Sequence, residues 1–403
     1  MPEISKCRVC GNSNFDQVID LGMQPWGNGF LSSEEIPSEK SYPLILIRCR
    51  DCTLAQLSFT IPKEEMFVKH TYLSGTTSTL DEHFRELAFQ VHNTYLSQRN
   101  NPTVLDIGSN DGTQLSHYKE LGCEVLGVES APHAVKLAHD AKIPTLECFF
   151  DSGIAREINK KFDVINASGV FFHLEELHSV CEGIKLCLKH DGVFIVQFIY
   201  MKNMQENMAF DQIYHEHLLY YTLETLETLL KLHGLEIFDA QESAIHGGSM
   251  IAFISHPGLF SKTPELDLLQ ANESSANTNS LESYEIFARG AENLRFKTKA
   301  WFENKSASKE IVYGLGAPVK GNTLINYFGL NRQNLPFLIE RNTLRRGLFS
   351  PGAHIPILLE NEIPRTPDSY FVLAWNFKQE ILERHKLDVL AGVEFYFPIE
   401  INP

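Results

Sequence analysis

No apolar stretch of this 403-residue chain is long enough to cross a bilayer. The longest, GVFIVQFIY at 192–200, falls well short of the ~20 residues that a spanning helix needs. The N-terminus, MPEISKCRVC, lacks an apolar h-region, so no signal peptide is expected. Positive charge is scarce: 35 Lys and Arg stand against 51 Asp and Glu, a net charge of −16, and no long basic run interrupts it. That balance argues against sequence-independent binding to nucleic acid or to an anionic membrane, where neutralised phosphates supply most of the affinity. A small anionic substrate, which needs only a local cluster of donors, remains open. Cysteine is sparse too. Eight in the chain do not make an extracellular disulfide framework, and their use fits reducing cytoplasm. No repeat of fixed period is present, and nothing points beyond a monomer or small homo-oligomer.

What the chain does have divides it in three, at 1–68, 69–257 and 258–403. Its length alone calls for two or three domains. The first part holds two CxxC pairs, short strand-like runs and turns such as LGMQPWGNG. Helical spacing follows, as in LDEHFRELAFQVHNTYL (80–96). From 103, the short apolar runs TVLDIG, EVLGVES, FDVINAS and GVFIVQFIY alternate with helical stretches, the pattern of a doubly wound parallel sheet. QANESSANTNSLES (270–283) has the composition of a solvated connector. A second alternation begins near 310 with EIVYGLG, LPFLIER, SYFVLAW and VEFYFPI, a smaller α/β unit.

Cys7, Cys10, Cys49 and Cys52 form CxxC-x38-CxxC. Four soft thiolates in two knuckles are the tetrahedral set that zinc favours, and a closed four-cysteine site leaves no position for chemistry. A structural zinc is therefore expected.

VLDIGSNDGTQL (104–115) reads as strand, glycine turn and helix start. Gly108 and Gly112 permit the turn, and Asp106 and Asp111 sit at the strand end and in the loop. Asn110 replaces the glycine that would let a pyrophosphate approach in a dinucleotide site. Glu129 ends the next strand, 23 residues after Asp106, where an acidic side chain can take both hydroxyls of a ribose. This combination resembles class I S-adenosylmethionine methyltransferases.

QIYHEHLLYY (212–221) places His215 and His217 two residues apart, not at the HExxH spacing that puts both on one helix face. A zinc protease is therefore a poor reading; a polar turn with core histidines is the plain alternative. Beside a methyl donor the segment has another use. Methylating carbon requires a base at the C–H bond and a donor for the developing oxyanion, and this segment holds His, Glu and Tyr together.

The layout resembles the zinc-containing sugar C-methyltransferases that act on nucleotide-linked 4-keto deoxysugars, as in tetronitrose, mycarose and noviose biosynthesis. The motifs that carry it are CRVCG…DLGMQP…RCRDCTLAQL, TYLSGTTS (71–78), VLDIGSNDG, GVES, FDQIYHEHLLYY, HGGSM (246–250), YGLGAPVKGNTLINYFG (313–329) and SPGAHIPI (350–357). The resemblance implies an N-terminal zinc ribbon, a central Rossmann-like methyltransferase domain and a C-terminal Rossmann-like domain closing over the nucleotide sugar. It also implies that His217 removes the proton α to the ketone, that Glu216 and Tyr214 orient the base or bind the sugar, and that Tyr72 and His173 contribute nearby. The expected reaction is C-methylation at C3 or C5 of the sugar. O- or N-methylation is the alternative, and a zinc-ribbon binding protein the rival from another class.

GAPVKGNT (316–323) misses the P-loop pattern, with Asn322 where the phosphate lysine belongs. Lys320 and Asn322 either help bind the substrate's phosphates or belong to an ordinary strand–helix turn. Two departures from the family stand out. Met250-Ile251 replace a leucine–arginine pair, and Trp26-Gly27 replace leucine–alanine.

Overall fold

The computed structural model describes residues 4–67, 73–76 and 78–400. Tyr72 lies outside them. The strands are, in chain order, β1 (Phe15–Pro25), β2 (Ser41–Cys49), β3 (Ala55–Leu57), β4 (Thr103–Ile107), β5 (Glu124–Glu129), β6 (Thr145–Glu147), β7 (Phe162–Ser168) and β8 (Leu188–Ile199). They continue as β9 (Leu219–Tyr220), β10 (Glu236–Ser243), β11 (Ser249–Ser255), β12 (Val312–Leu315), β13 (Leu338–Glu340), β14 (Ile357–Leu359), β15 (Ser369–Val372) and β16 (Glu394–Tyr396).

They form three sheets. The central one has the order β10-β11-β8-β7-β4-β5-β6. Its five strands β4 to β8 are parallel, and β11 and β10 add antiparallel at one edge. β4 is buried along its whole length, as expected of a parallel strand covered by helices on both faces. The chain runs outward from β4 to β5 and β6 on one side and then restarts at β7 on the other. The resulting switch point, at the carboxyl ends of β4 and β7, is where such sheets bind ligands. The C-terminal sheet, β14-β13-β12-β15-β16, is all parallel and has its own switch point between β12 and β15.

The first sheet, β1-β2-β3-β9, is antiparallel, and its fourth strand comes from the YHEHLLYY segment. Ala55 pairs with Tyr220 and Gln56 with Leu219, so this segment is stitched to the cysteine-bearing region. One apolar core runs through all three sheets, from Val9 and Leu46 through Phe171 and Tyr221 to Leu324 and Trp375. Among the described residues no helix is long and apolar enough to cross a membrane.

The polar stretch 270–283 is not a solvated loop. It contains the end of one helix (Pro264–Ser275), a short turn, and the start of the long helix Leu281–Ala307, capped by Ser280. Glu273 is buried, and its carboxylate accepts the Leu223 and Glu224 amides and the Tyr200 hydroxyl. A residue that looked exposed by composition caps the N-terminus of helix Leu223–Leu232, where a negative charge suits the orphan N–H groups.

Candidate active site and metal centre

Cys7, Cys10, Cys49 and Cys52 converge, with all four sulfurs within 4.8 Å of one another. The Cys7–Cys52 and Cys10–Cys49 sulfurs are each 3.5 Å apart. Tetrahedral Zn–S bonds of about 2.3 Å place sulfurs roughly 3.8 Å apart, close to the spacing of this set. Contact with Cys52 pushes the Cys7 thiol down, and the same contact pushes Cys52 up. Gln56 Nε2 donates to Cys7 Sγ at 3.1 Å, and Arg8 donates to Gln56 Oε1 and to the Leu57 carbonyl at 2.7 Å. These partners tie the metal ligands to β3.

At the central switch point the chain leaves β4 through a loop with three positive φ angles: Gly108 at 72°, Asn110 at 51° and Gly112 at 82°. A Cβ on Gly108 would sit 2.8 Å from Val170 Cγ2, so both the turn and the packing require glycine there. The Asn110 amide donates to Glu129 Oε2 at 2.9 Å, and the Ala131 amide to Oε1 at 2.8 Å. Glu129 is thereby locked beside the loop, with lone pairs left to accept from a ribose. Asp106 is buried next to Asn166, and burial, with Glu129 second, pushes its carboxyl well above the usual range. Asp111 accepts the Gly75 amide at 2.9 Å, and Asn110 Oδ1 accepts that of Ser74 at 3.0 Å, so segment 73–76 lies against the donor loop. Ser109 Oγ, Asn166 Nδ2 and Ser168 Oγ are buried there without hydrogen bonds to described residues.

The two histidines of QIYHEHLLYY separate. His215 is buried against the edge of Tyr42, and burial pulls it down to about 4, so it is a neutral core residue. His217, 3% exposed, is different. Its Nδ1 lies 2.8 Å from the Gln212 carbonyl, which can only accept. Nδ1 therefore carries a proton, and in the neutral ring the lone pair is on Nε2. The Tyr214 ring lies tilted by 40° against the His217 ring at 3.8 Å between centroids, and Phe172 meets it edge-on at 4.7 Å. His173, with its ring 5.2 Å away, has its Nδ1 bonded to the Glu216 carbonyl, the same arrangement again. The Leu218 amide donates to the Phe172 carbonyl at 2.9 Å, which anchors the segment over the loop after β7. The Glu216 carboxylate, 4% exposed, accepts the Trp26 indole N–H at 2.7 Å.

Sequence reasoning had no means of finding the Gln212 carbonyl, since a backbone acceptor leaves no residue signature. Trp26 carried a signal, as a departure from the family pattern. Asn322 is buried and its amide donates to the Gly27 carbonyl at 2.7 Å. Lys320 Nζ is enclosed 3.8 Å from the centroid of Trp375. In this arrangement both side chains face protein.

A parallel sheet whose switch point carries an acidic glycine turn, with a paired-histidine cluster over it, defines an S-adenosylmethionine-dependent methyltransferase. Three family profiles match the chain: a zinc binding domain over residues 7–67, a methyltransferase domain over 80–240 and a C-methyltransferase C-terminal domain over 244–400. C-methyltransferase NovU of Streptomyces niveus is 29% identical over 402 residues, covering 98% of this chain and 96% of that protein. Among solved structures, the PH0226 protein from Pyrococcus horikoshii OT3 is 18% identical, covers 48% of this chain and 97% of its own, and superposes with a TM-score of 0.37. Magnesium protoporphyrin IX methyltransferase from Synechocystis PCC 6803, solved with bound S-adenosylmethionine, is 14% identical over 44% of this chain and 81% of its own, at a TM-score of 0.34. The chain is an S-adenosylmethionine-dependent methyltransferase whose terminal regions match the zinc binding and C-methyltransferase C-terminal domains.

Proposed function

We propose that this enzyme methylates the carbon α to the ketone of a nucleotide-linked 4-keto-6-deoxy sugar, at C3 in preference to C5. Residues 1–68 act as the zinc-binding unit, 69–257 as the methyltransferase core and 258–403 as the unit that closes the sugar-nucleotide site. The observation that carries the reading is the bond from His217 Nδ1–H to the Gln212 carbonyl, which in a neutral ring leaves the basic lone pair on Nε2 of a buried side chain. A base so held can take a carbon-bound proton, a step that methylation of oxygen or nitrogen does not need. Tyr214 and His173 flank that nitrogen's ring and are the candidates to orient the sugar or hold the enolate oxygen. When bound, S-adenosylmethionine supplies the electrophilic methyl group, received by the carbon that His217 has deprotonated. Asp106, Asp111, Glu129 and the turn from Gly108 to Gly112 hold the donor. The phosphate contact expected of Lys320 and Asn322 is not part of this proposal, since both face protein groups.

Proton NMR of candidate 4-keto-6-deoxy sugar nucleotides in D2O, with purified enzyme, with and without donor, tests the reading. One ring-proton signal is expected to disappear, and to persist with His217→Ala, whose kcat should fall by about 10²–10⁴-fold. The proton lost identifies C3 or C5. Donor consumption without exchange would mean O- or N-methylation and sink the enolate mechanism.

A further inference from the structure

The C-terminal sheet has a ligand crevice of its own, at the carboxyl ends of β12 and β15, and it is already filled. After β15 the chain turns into Trp375, and after β12 it passes Gly316 (φ 85°) into helix Val319–Phe328, which carries Lys320 and Thr323. Into this corner comes Asp211, from the short turn Phe210–Gln212 just ahead of the His217 segment. Asp211 is fully buried, and its Oδ2 accepts the Trp375 indole N–H at 2.6 Å. The face of that indole carries Lys320 Nζ at 3.8 Å, with no hydrogen bond to Asp211; its charge pulls the Asp211 carboxyl down against the burial that raises it. Thr323 Oγ1 donates to the Ile213 carbonyl at 3.1 Å. Residues 211 and 213 are therefore both held by the C-terminal unit. Between them stands Gln212, whose carbonyl accepts His217 Nδ1–H.

We propose that the switch point of the C-terminal α/β unit has become a clamp: Trp375 and Lys320 hold the Asp211 carboxylate where such a fold would hold a ligand's anion, and so fix the carbonyl that orients His217. Lys320, Trp375 and Asp211 are positioning residues. None of them touches the sugar. The inference rests on His217 being the base, but its first test does not require a substrate.

Selective 15N-histidine labelling reads the tautomer directly, with the His217 signal identified by its loss in His217→Gln. In the unaltered enzyme His217 should show the Nδ1–H form. Trp375→Phe removes one N–H and keeps a ring beneath Lys320; it should shift the His217 nitrogens toward the averaged values of mixed tautomers. Lys320→Met should do the same. Should Lys320→Met fail to fold, Trp375→Phe and Asp211→Asn still decide. Unchanged His217 signals in the folded variants would overturn the clamp.

Kinetics separate it from phosphate binding. On the clamp, Lys320→Met lowers kcat about tenfold, in step with the rate of ring-proton exchange, and leaves the KM of the sugar nucleotide within twofold. A raised KM at unchanged kcat would assign Lys320 to the substrate instead. If the unaltered enzyme neither exchanges nor methylates, the substrate reading has failed, and the nitrogen shifts still judge the clamp.

Discussion

Burial pulls His215 down to about 4 from the 6.5 of a free imidazole, so between these values the unfolded chain binds a proton that the folded chain refuses. Stability therefore rises with pH across this window and is lost on acidification from 6.5 toward 4. For a group buried this deeply, the full loss is about 3 kcal/mol. Urea unfolding from pH 7 to 4.5 should reveal it as the difference between wild type and His215→Phe, whose profile should be flatter by that amount. Parallel profiles would mean that His215 is charged or solvated in the folded state. Two positions on, His217 keeps polar partners and a fixed tautomer, so neighbouring histidines differ because one is given a carbonyl to point at. Trp26 makes a comparable distinction for Glu216. Its N–H removes one lone pair of the carboxylate from competition, and hydrogen bonds to charged groups are worth about 1.5–3 kcal/mol. Trp26→Phe should lower kcat/KM for the sugar about tenfold and leave the donor's KM alone. A change below twofold would make the contact incidental.

Some elements were legible in the sequence because burial on both faces leaves unbroken apolar runs. TVLDI, FDVINAS and SYFV became β4, β7 and β15 for that reason. The donor turn was legible because its glycines answer a local backbone demand, and the cysteine pairs because metal ligation constrains spacing. What could not be read depends on distant partners. β9 is two residues long, and only its pairing with β3 makes it a strand. Glu273 looks like part of a linker until the helix it caps is placed beside it. The β3–β9 pairing would give a bound metal a mechanical route to the proposed base, His217. Cys52 leads into β3, β3 pairs with β9, and β9 begins two residues after His217. Structural zinc binding is worth on the order of 10 kcal/mol, and in this chain it is spent on that sheet. Cys49→Ser, or a strong chelator, should lower the melting temperature by roughly 10 °C or more and reduce ring-proton exchange. Readded zinc should restore the chelated enzyme but not the variant. Full exchange without zinc would break the route proposed.

At the scale of the whole molecule, a chain of 403 residues in three sheets would ordinarily unfold in steps, since inter-domain contacts are usually small and polar. Here the sheets share an interior. The segment between β1 and β2 also straps the zinc-binding region to the C-terminal unit. Gly27 accepts from Asn322 at 2.7 Å, Leu31 and Phe349 exchange backbone hydrogen bonds of 2.8 and 3.1 Å, and Glu39 accepts the Gly352 amide at 2.9 Å and faces His354 Nε2 at 2.8 Å. A Cβ on Gly27 would come within 3.3 Å of Val319, so even alanine would press on this joint. The site lies where the strap, the His217 segment and helix Val319–Phe328 meet, and no single sheet contains it. Such a site is intact only while all three hold together. A single transition in urea is therefore expected, with far-UV circular dichroism, tryptophan fluorescence and release of zinc to a chelating dye coincident. Two of the three tryptophans, Trp26 and Trp375, report on the two joints, because each indole bonds a carboxylate across one of them, while Trp301, bonded to Glu394, reports on the C-terminal unit. Zinc release at lower urea than the loss of circular dichroism would mean that the cysteine sheet folds on its own, and the coupling of metal to base would then have to be local to β3 and β9.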